Sequence, residues 1–279
     1  MIKKENTKNY TTAPLPFMGQ KRRFLKAFKA ALNDYPKDAT YIDLFGGSGL
    51  LSHTIKQQFA EARVIYNDFD NYTERLKNID NTNRILTDLR EILKDYPKDK
   101  MIKNDHRELV LNRIKQEKGF VDYITLSSSI LFSMNYVSTY DELCAQSLYN
   151  CVRKSEYNAV GYLKGVESVT KDYKVLFEEF KNNENIVFLV DPPYLSTEVG
   201  TYKTYWKLKD YLDVLNVLDG TKYFYFTSNK SNIIELCEWI ETKTPMSNPF
   251  NNSLRTDIQT TITSTASYTD IMIYKYDLV

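Results

Sequence analysis

The stretch from Thr40 to Asp68 most narrowly limits what this chain can fold into. A β-rich run over residues 40–45 meets the glycine turn Gly46-Gly47-Ser48-Gly49, after which apolar residues resume helical spacing. A second apolar run, residues 63–66, ends at Asn67-Asp68. Strand, glycine turn, helix and strand in this order predict a β-α-β unit, the building block of a nucleotide-binding sheet. The fold class is therefore predicted to be α/β.

Further apolar runs extend the predicted sheet. Residues 185–190 and 222–227 are typical of buried strands, and residues 270–276 alternate as a strand that can form a hairpin with residues 260–265. Residues 20–34 have the apolar spacing of an amphipathic helix. These elements predict strands and helices that pack around one core.

The middle of the chain has a different pattern. Residues 72–184 hold 18 basic and 18 acidic side chains in mostly helical segments, and strong strand runs return only near residue 185. We therefore predict a discontinuous α/β domain, residues 1–75 and 185–279, with a mainly helical insertion over residues 76–184. Because its charges balance, only one face of the insertion can be basic.

Composition bears on the cellular location of the protein and on whether disulfides or metal sites are expected. The 279 residues include no run of 18 apolar residues, and the first ten lack the apolar stretch of a secretory signal. A soluble cytoplasmic protein is expected. The three cysteines, Cys144, Cys151 and Cys237, contain no closely spaced pair, and the two histidines have no ligand partners nearby in the sequence. No disulfide framework and no metal site are expected.

The glycine turn has two interpretations. As a binding loop, its glycines let the backbone approach a ligand, and Asp68, 19 positions after Gly49, can accept hydrogen bonds from two ribose hydroxyls. As a purely structural feature, it is a tight turn between strand and helix. The third glycine of the dinucleotide fingerprint is absent, since Leu50-Leu51-Ser52 follows Gly49. This argues against nicotinamide and flavin cofactors.

A more specific motif, Asp191-Pro192-Pro193-Tyr194, follows the strand over residues 185–190. Its two prolines make a stiff corner. At the carboxyl edge of a parallel strand, Asp191 and the Pro192 carbonyl can accept hydrogen bonds from an aromatic amine, and Tyr194 can stack on the base that carries it. The alternative is a surface turn with a capping Asp. The buried strand before it favours the chemical interpretation.

The order of these motifs resembles the Dam-like DNA adenine methylases of the D12 class. Pro16-Phe17-Met18-Gly19-Gln20-Lys21 comes first, followed by the glycine turn, Asn67-Asp68, a helical insertion and Asp191-Pro192-Pro193-Tyr194. The resemblance implies a Rossmann-like S-adenosylmethionine-dependent methyltransferase core with an inserted target recognition domain. It implies catalytic roles for Asp191, Pro192, Pro193 and Tyr194. It implies cofactor contacts for Phe17, Gly19, Lys21, Asp43, Phe45, Gly46, Gly47, Gly49, Asp68 and Asp191.

The implied activity is site-specific transfer of a methyl group from S-adenosylmethionine to adenine N6 in double-stranded DNA, by base flipping and direct in-line transfer. The resemblance leaves open whether a cognate restriction endonuclease accompanies the enzyme. The first motif departs from the family's K-W-A-G-G-K, and residues 134–140 show no counterpart of its recognition hairpin, so no target sequence is assigned. The alternatives are an RNA or protein-glutamine methyltransferase on the same core, and a catalytically silent nucleic-acid-binding module.

Two further patterns bear on DNA. Residues 1–29 contain eight Lys or Arg and only one acidic residue, Glu5, which indicates either a phosphate-facing surface or a solvated helix face. Tyr202, Tyr205 and Trp206 lie shortly after the proline motif. They either line the pocket of the base or pack in the core.

Overall fold

The computed structural model describes residues 9–132, 135–193, 206–242, 247–261 and 267–276. Their contacts form two compact units. The helical unit contains residues 13–19 and 71–162, and the sheet unit contains the described residues of 9–12, 20–70 and 163–279.

The sheet unit contains seven strands among its described residues. They are β1 Thr40–Asp43, β2 Arg63–Asn67, β3 Glu167–Val169, β4 Ile186–Val190, β5 Lys222–Ser228, β6 Leu254–Thr261 and β7 Ser267–Lys275. Its helices are α1 Leu25–Ala31, followed by the 3-10 turn Leu32–Asp34, then α2 Leu50–Gln58, α8 Tyr173–Phe180, α9 Leu208–Leu218 and α10 Ile233–Glu241. The helical unit contains α3 Tyr72–Lys77, α4 Ile79–Ile92, α5 Asn104–Lys115, α6 Tyr123–Ile130 and α7 Tyr140–Cys144.

The strands form one sheet in the order β3-β2-β1-β4-β5-β7-β6. The pairs β1/β2, β1/β4, β2/β3 and β4/β5 are parallel, whereas β7 runs antiparallel to both β5 and β6. The chain builds outward from β1 to β3 and then returns to place β4 on the other side of β1. The strand order therefore reverses between β1 and β4, the position where ligands bind in open α/β sheets.

Both faces of the sheet are covered. On one face, Ile42, Phe188 and Tyr225 belong to a buried cluster with side chains of α9 and α10. On the other, Phe28 of α1 meets Phe224 of β5 with ring centroids 4.8 Å apart. Strands with two covered faces are apolar along their length, as the runs in β4 and β5 are.

The helical unit has a core of its own. Ile85 and Leu89 of α4 are buried, as are Val110 and Ile114 of α5. In both helices these side chains recur at three- or four-residue spacing, which gives each helix one apolar face to bury. No helix within the described residues has the length and apolar character needed to cross a membrane.

The predicted α/β class is confirmed, and the predicted strands over residues 40–45, 63–66, 185–190, 222–227 and 270–276 all form. A terminal hairpin forms between β6 and β7, but β6 begins at Leu254, before the predicted residues 260–265, of which residues 262–265 lie outside the described residues.

Three boundaries differ from those predicted. The helix expected over residues 20–34 begins at Leu25 and ends in the 3-10 turn. The insertion was expected to span residues 76–184, whereas the helical unit runs over residues 71–162 and β3 and α8 belong to the sheet unit. The reason is that β3 has only three residues, two of them exposed, and so leaves no apolar run in the sequence.

Candidate active site

Asp191 lies directly after β4, at the carboxyl edge of the sheet, and forms an ion pair with Lys21. The two side chains are 20% and 11% exposed, so both groups are largely removed from water. Burial raises the pKa of Asp191 above its ordinary value, and Asp270 adds to the rise, while Lys21 opposes it. The charge on Asp191 is thus only partly balanced.

Asp43 supplies a second buried carboxylate at the same edge, at the end of β1. Its Oδ2 accepts a hydrogen bond from the Ser52 hydroxyl of α2 at 2.7 Å. Burial raises the pKa of Asp43 to about 7, and the nearby Asp191 contributes to this rise. Asp43 therefore joins β1 to α2 across the glycine turn, and burial at the sheet edge disfavours its charged form.

The glycine turn between β1 and α2 has the conformation that glycine allows. Gly47 and Gly49 have φ of 49° and 71°, in the left-handed region. A Cβ on Gly46 would lie 2.2 Å from the ring of Tyr66, so this position admits no side chain. No side chain of the described residues caps α2. Its first-turn N–H groups thus suit a ligand carboxylate.

Asp68 lies just past β2 and is 2% exposed. The Tyr66 hydroxyl lies 2.6 Å from the Gly47 carbonyl and 3.1 Å from Asp68 Oδ1, so it bridges the glycine turn and the acidic residue. The Asp68 N–H donates to the Val169 carbonyl of β3 at 2.7 Å. These bonds fix the carboxylate relative to the turn.

Sequence reasoning missed Tyr66 and Phe69. The signal for Tyr66 was its place in a strand directly before Asn67-Asp68, although nothing local shows that its hydroxyl reaches Gly47. Phe69 follows Asp68 and is 65% exposed, which is unusual for a large apolar side chain. It is an additional candidate for contact with a flat ring.

Phe45, expected to contact the cofactor, lies in an aromatic cluster. Its ring centroid is 4.9 Å from Tyr173 of α8 and 5.7 Å from Trp206, and the rings of Tyr173 and Trp206 are stacked. The described member of the predicted Tyr202, Tyr205 and Trp206 group therefore packs against a predicted site residue. Tyr202 and Tyr205 lie outside the described residues.

Most of the predicted site residues belong to the sheet unit. These residues are Lys21, Asp43, Phe45, Gly46, Gly47, Gly49, Asp68, Asp191, Pro192 and Pro193. Phe17 and Gly19 belong to the helical unit, where the Phe17 ring contacts Tyr72 edge-on at 5.7 Å and Gly19 has φ of 78°. Tyr194 lies outside the described residues.

The residues at this edge fit S-adenosylmethionine. Uncapped N–H groups at the start of α2 suit its carboxylate, and Asp68 suits its ribose hydroxyls. The raised pKa values of Asp43 and Asp191 show that burial disfavours their charged forms, and the positive sulfonium of the cofactor would stabilise them. Within the described ranges, no three His, Cys, Asp or Glu side chains are grouped as a metal site.

Comparisons with known proteins agree with this assignment. The family model of the D12 class N6 adenine-specific DNA methyltransferases matches residues 17–212. A Haemophilus influenzae protein, named as a candidate methyltransferase, is 40% identical over 97% of this chain and 94% of its own length.

Two solved structures are more distant. They are a candidate methylase from Haemophilus influenzae, with TM-score 0.35, and a candidate methyltransferase from Escherichia coli, with TM-score 0.33. Each is 12% identical and covers 94% of this chain and 92% of the other.

The family implies S-adenosylmethionine as the methyl donor, and the sheet described above is the methyltransferase core predicted from the sequence. The family match and the 40% identity show that the chain belongs to the D12 class of N6 adenine-specific DNA methyltransferases.

Proposed function

We propose that this protein methylates the N6 amine of adenine at a short, fixed sequence in double-stranded DNA. The observation that carries the proposal is the position of Asp191: a carboxylate at the strand-order reversal, 20% exposed, beside the glycine turn of β1 and paired with one lysine. A carboxylate in this setting accepts hydrogen bonds from an amine, and these bonds offset the free-energy cost of removing the carboxylate from water.

The chemistry of adenine explains why such an acceptor is needed. The lone pair of N6 is conjugated into the purine ring, so the amine is a weak nucleophile. Hydrogen bonds from its two hydrogens to Asp191 and to the Pro192 carbonyl localise that lone pair. Attack at a ring carbon such as cytosine C5 calls for a nucleophile such as a thiol, which the Asp191-Pro192-Pro193-Tyr194 motif does not contain.

The amine reaches Asp191 only if the base leaves the duplex. A stacked adenine holds its N6 inside the helix, so enzymes that modify a base extrude it into a pocket. We assign Pro192 and Pro193 to the stiff wall of this pocket and Tyr194 to stacking on the base. The direct, in-line geometry of transfer is part of the same proposal.

S-adenosylmethionine supplies an activated methyl group on a sulfonium centre. Asp68 is assigned to the ribose hydroxyls, and the glycine turn of Gly46, Gly47 and Gly49 to the methionine end, where the backbone comes closest. Phe17, Gly19, Lys21, Asp43 and Phe45 complete the proposed contacts. Asp191 is shared between cofactor and target.

The helical segment is assigned to target recognition. Residues 76–184 were predicted for this role, and α4, α5, α6 and α7 lie in this part of the chain. A segment of this length can place side chains in the major groove, where each base pair shows a distinct pattern of donors and acceptors. A cytoplasmic location and a partner restriction endonuclease stay predictions from sequence.

Modified-base sequencing of a host that lacks adenine methylation of its own tests the proposal. Genomic DNA from cells expressing the protein is expected to carry N6-methyladenine in one short motif, and Asp191→Ala should abolish the mark. A matched control, Asp219→Asn, changes an exposed carboxylate between α9 and β5 and should leave it intact. N4-methylcytosine would overturn the base assignment, and methylation of RNA or of protein glutamine with unmodified DNA would overturn the substrate.

A further inference from the structure

Two exposed cations of the sheet unit act on one tyrosine, Lys230 by a direct contact and Arg23 through its charge. Lys230 Nζ lies 4.6 Å from the ring centroid of Tyr268. Arg23 acts on the same side chain, because its charge lowers the pKa of Tyr268 against the rise caused by burial and by Asp270. Arg23 and Lys230 are exposed and Tyr268 is half-buried. We call these three side chains the basic edge surface.

The basic edge surface keeps its positive charge available to a ligand. The ion pairs formed among the described residues include neither Arg23 nor Lys230. By contrast, the helical unit pairs Arg84 and Arg113 with Glu117. Asp270, whose charge raises the pKa of Tyr268, accepts a hydrogen bond from the Thr260 hydroxyl at 2.9 Å. Two cations without a carboxylate partner suit a polyanion.

The backbone beneath these side chains is fixed by hydrogen bonds. The Asn229 N–H donates to the Thr269 carbonyl at 2.9 Å, and the Thr269 N–H donates to Asn229 Oδ1 at 2.9 Å. The Lys230 N–H donates to the Ser228 hydroxyl at 3.2 Å. The turn after β5 is thereby tied to β7, which holds Lys230 and Tyr268 in a set relation.

The basic edge surface lies at the same sheet edge as Asp191. Lys230 follows β5 by two residues, at the end of the strand that lies next to β4. Asp270, two residues after Tyr268, is close enough to Asp191 to raise its pKa. On the other side, Lys21 pairs with Asp191 two residues before Arg23. The cations therefore flank the position to which the target base must come.

We propose that Arg23 and Lys230 bind backbone phosphates of the DNA strand on either side of the extruded base, with Tyr268 holding the lysine in place. The inference rests on the proposed function and adds a DNA-contacting surface on the sheet unit to the recognition role of the helical segment. It also gives a phosphate-binding role to part of the basic run over residues 1–29. Contacts to phosphates position the duplex without reading its sequence.

Salt dependence of DNA binding tests this surface, because each phosphate neutralised adds about 0.9 to the steepness of log K against log salt. The full chain is titrated with a duplex containing its target motif at several salt concentrations. For Arg23→Gln/Lys230→Gln we expect a slope shallower by roughly 2 and weaker binding of target and non-target duplexes alike. S-adenosylmethionine affinity, measured by calorimetry, should stay at the wild-type value and show that the variant is folded.

The control variant is Lys37→Gln/Lys181→Gln. It removes the same charge from exposed side chains that precede β1 and β4, at the opposite edge of the sheet, and should keep the wild-type slope. An unchanged slope in Arg23→Gln/Lys230→Gln, or an equal change in the control, would overturn the surface. A duplex that binds with the expected slopes but gains no N6-methyladenine would overturn the proposed function and leave the surface standing.

Discussion

Asp122 in the helical unit and Asp191 in the sheet unit are both carboxylates removed from water and paired with one cation, yet their surroundings differ. Asp122 accepts from Arg75 Nε at 3.0 Å and from the Thr125 N–H at 3.0 Å and hydroxyl at 2.5 Å. Arg75 also donates to the Pro16 carbonyl at 2.8 Å. Asp191 has the ion pair with Lys21, while burial and Asp270 raise its pKa.

The contrast separates a structural carboxylate from one suited to chemistry. Asp122 uses its acceptor capacity within the fold, where it caps α6 through the Thr125 N–H and joins this helix to Arg75 of α3. A fully bonded buried group stabilises one arrangement and has nothing left for a ligand. Asp191 keeps acceptor capacity at an open sheet edge, the condition for binding an amine during a reaction.

The substitution Asp122→Ala is expected to have the largest effect, which is a loss of stability. Arg75 would remain buried, 5% exposed in its side chain, with its charge uncompensated, and α6 would lose its cap. Removing one partner of a buried ion pair costs about 3–5 kcal/mol, so the unfolding free energy in urea should fall by this amount. Glu91→Ala removes an exposed carboxylate of α4 and should leave stability near wild type. Equal stability of the two variants would contradict the structural role of Asp122.

The next effect is on activity, from Asp191→Ala. Loss of an acceptor that acts mainly in the transition state is expected to lower kcat by about 10²–10³-fold. Stability should change less than in Asp122→Ala, since burial already disfavours the charged form of Asp191, as its raised pKa shows. Single-turnover methylation and urea unfolding on the same preparation measure both quantities. Retained activity, or a stability loss as large as that of Asp122→Ala, would make Asp191 structural.

The third prediction concerns the pH dependence of stability that results from the raised pKa of Asp43. Its pKa of about 7 in the folded chain lies well above the value of about 4 in an unfolded chain. Between these values the folded state holds a proton that the unfolded state has released, so stability falls as pH rises from about 4 to 7. Asp43→Asn should make this fall shallower by up to roughly 1.4 kcal/mol per pH unit.

Urea unfolding at several pH values checks this slope. Ser52→Ala is the companion variant: the hydrogen bond of Ser52 lowers the pKa of Asp43, so its loss should extend the fall to higher pH. Identical pH slopes in wild type and Asp43→Asn would contradict the raised pKa.

The sequence predicted a strand correctly where the apolar run of that strand was long. The apolar runs of β4 and β5 identified these strands, because a strand covered on both faces has few polar positions. β3 gave no such run, and its register against β2 depends on contacts about a hundred residues apart. The helical insertion was predicted from composition, which shows where helices lie but not where the unit ends.

The same limit applies to the site. Asp68 and Asp191 could be predicted because each carboxylate follows a recognisable strand, and Asp43, the last residue of β1, was implied by the family resemblance. The pairing of Lys21 with Asp191 could not, since it joins residues 170 positions apart. Phe17 and Lys21 were predicted as one cofactor motif, whereas they belong to different compact units, a division that no local pattern in residues 16–21 indicates.

The smallest expected effect concerns Tyr66, whose hydroxyl bonds both Gly47 and Asp68. Tyr66→Phe keeps the ring that excludes a side chain at Gly46 but removes the one hydroxyl proton that the Gly47 carbonyl and Asp68 Oδ1 share. The Asp68 carboxylate would lose one donor and the turn one anchor, so S-adenosylmethionine affinity should fall by about 0.5–1.5 kcal/mol, a factor of roughly 2–13. Calorimetry measures it, with Tyr41→Phe as the control, since the Tyr41 hydroxyl bonds the Pro36 carbonyl before β1. If affinity is unchanged while Asp68→Ala still weakens binding, Asp68 contacts the ribose without help from Tyr66. The backbone bond from the Asp68 N–H to the Val169 carbonyl would then contribute more to the position of Asp68 than the Tyr66 hydroxyl does, in contrast to Asp122, whose carboxylate accepts from Arg75 and Thr125.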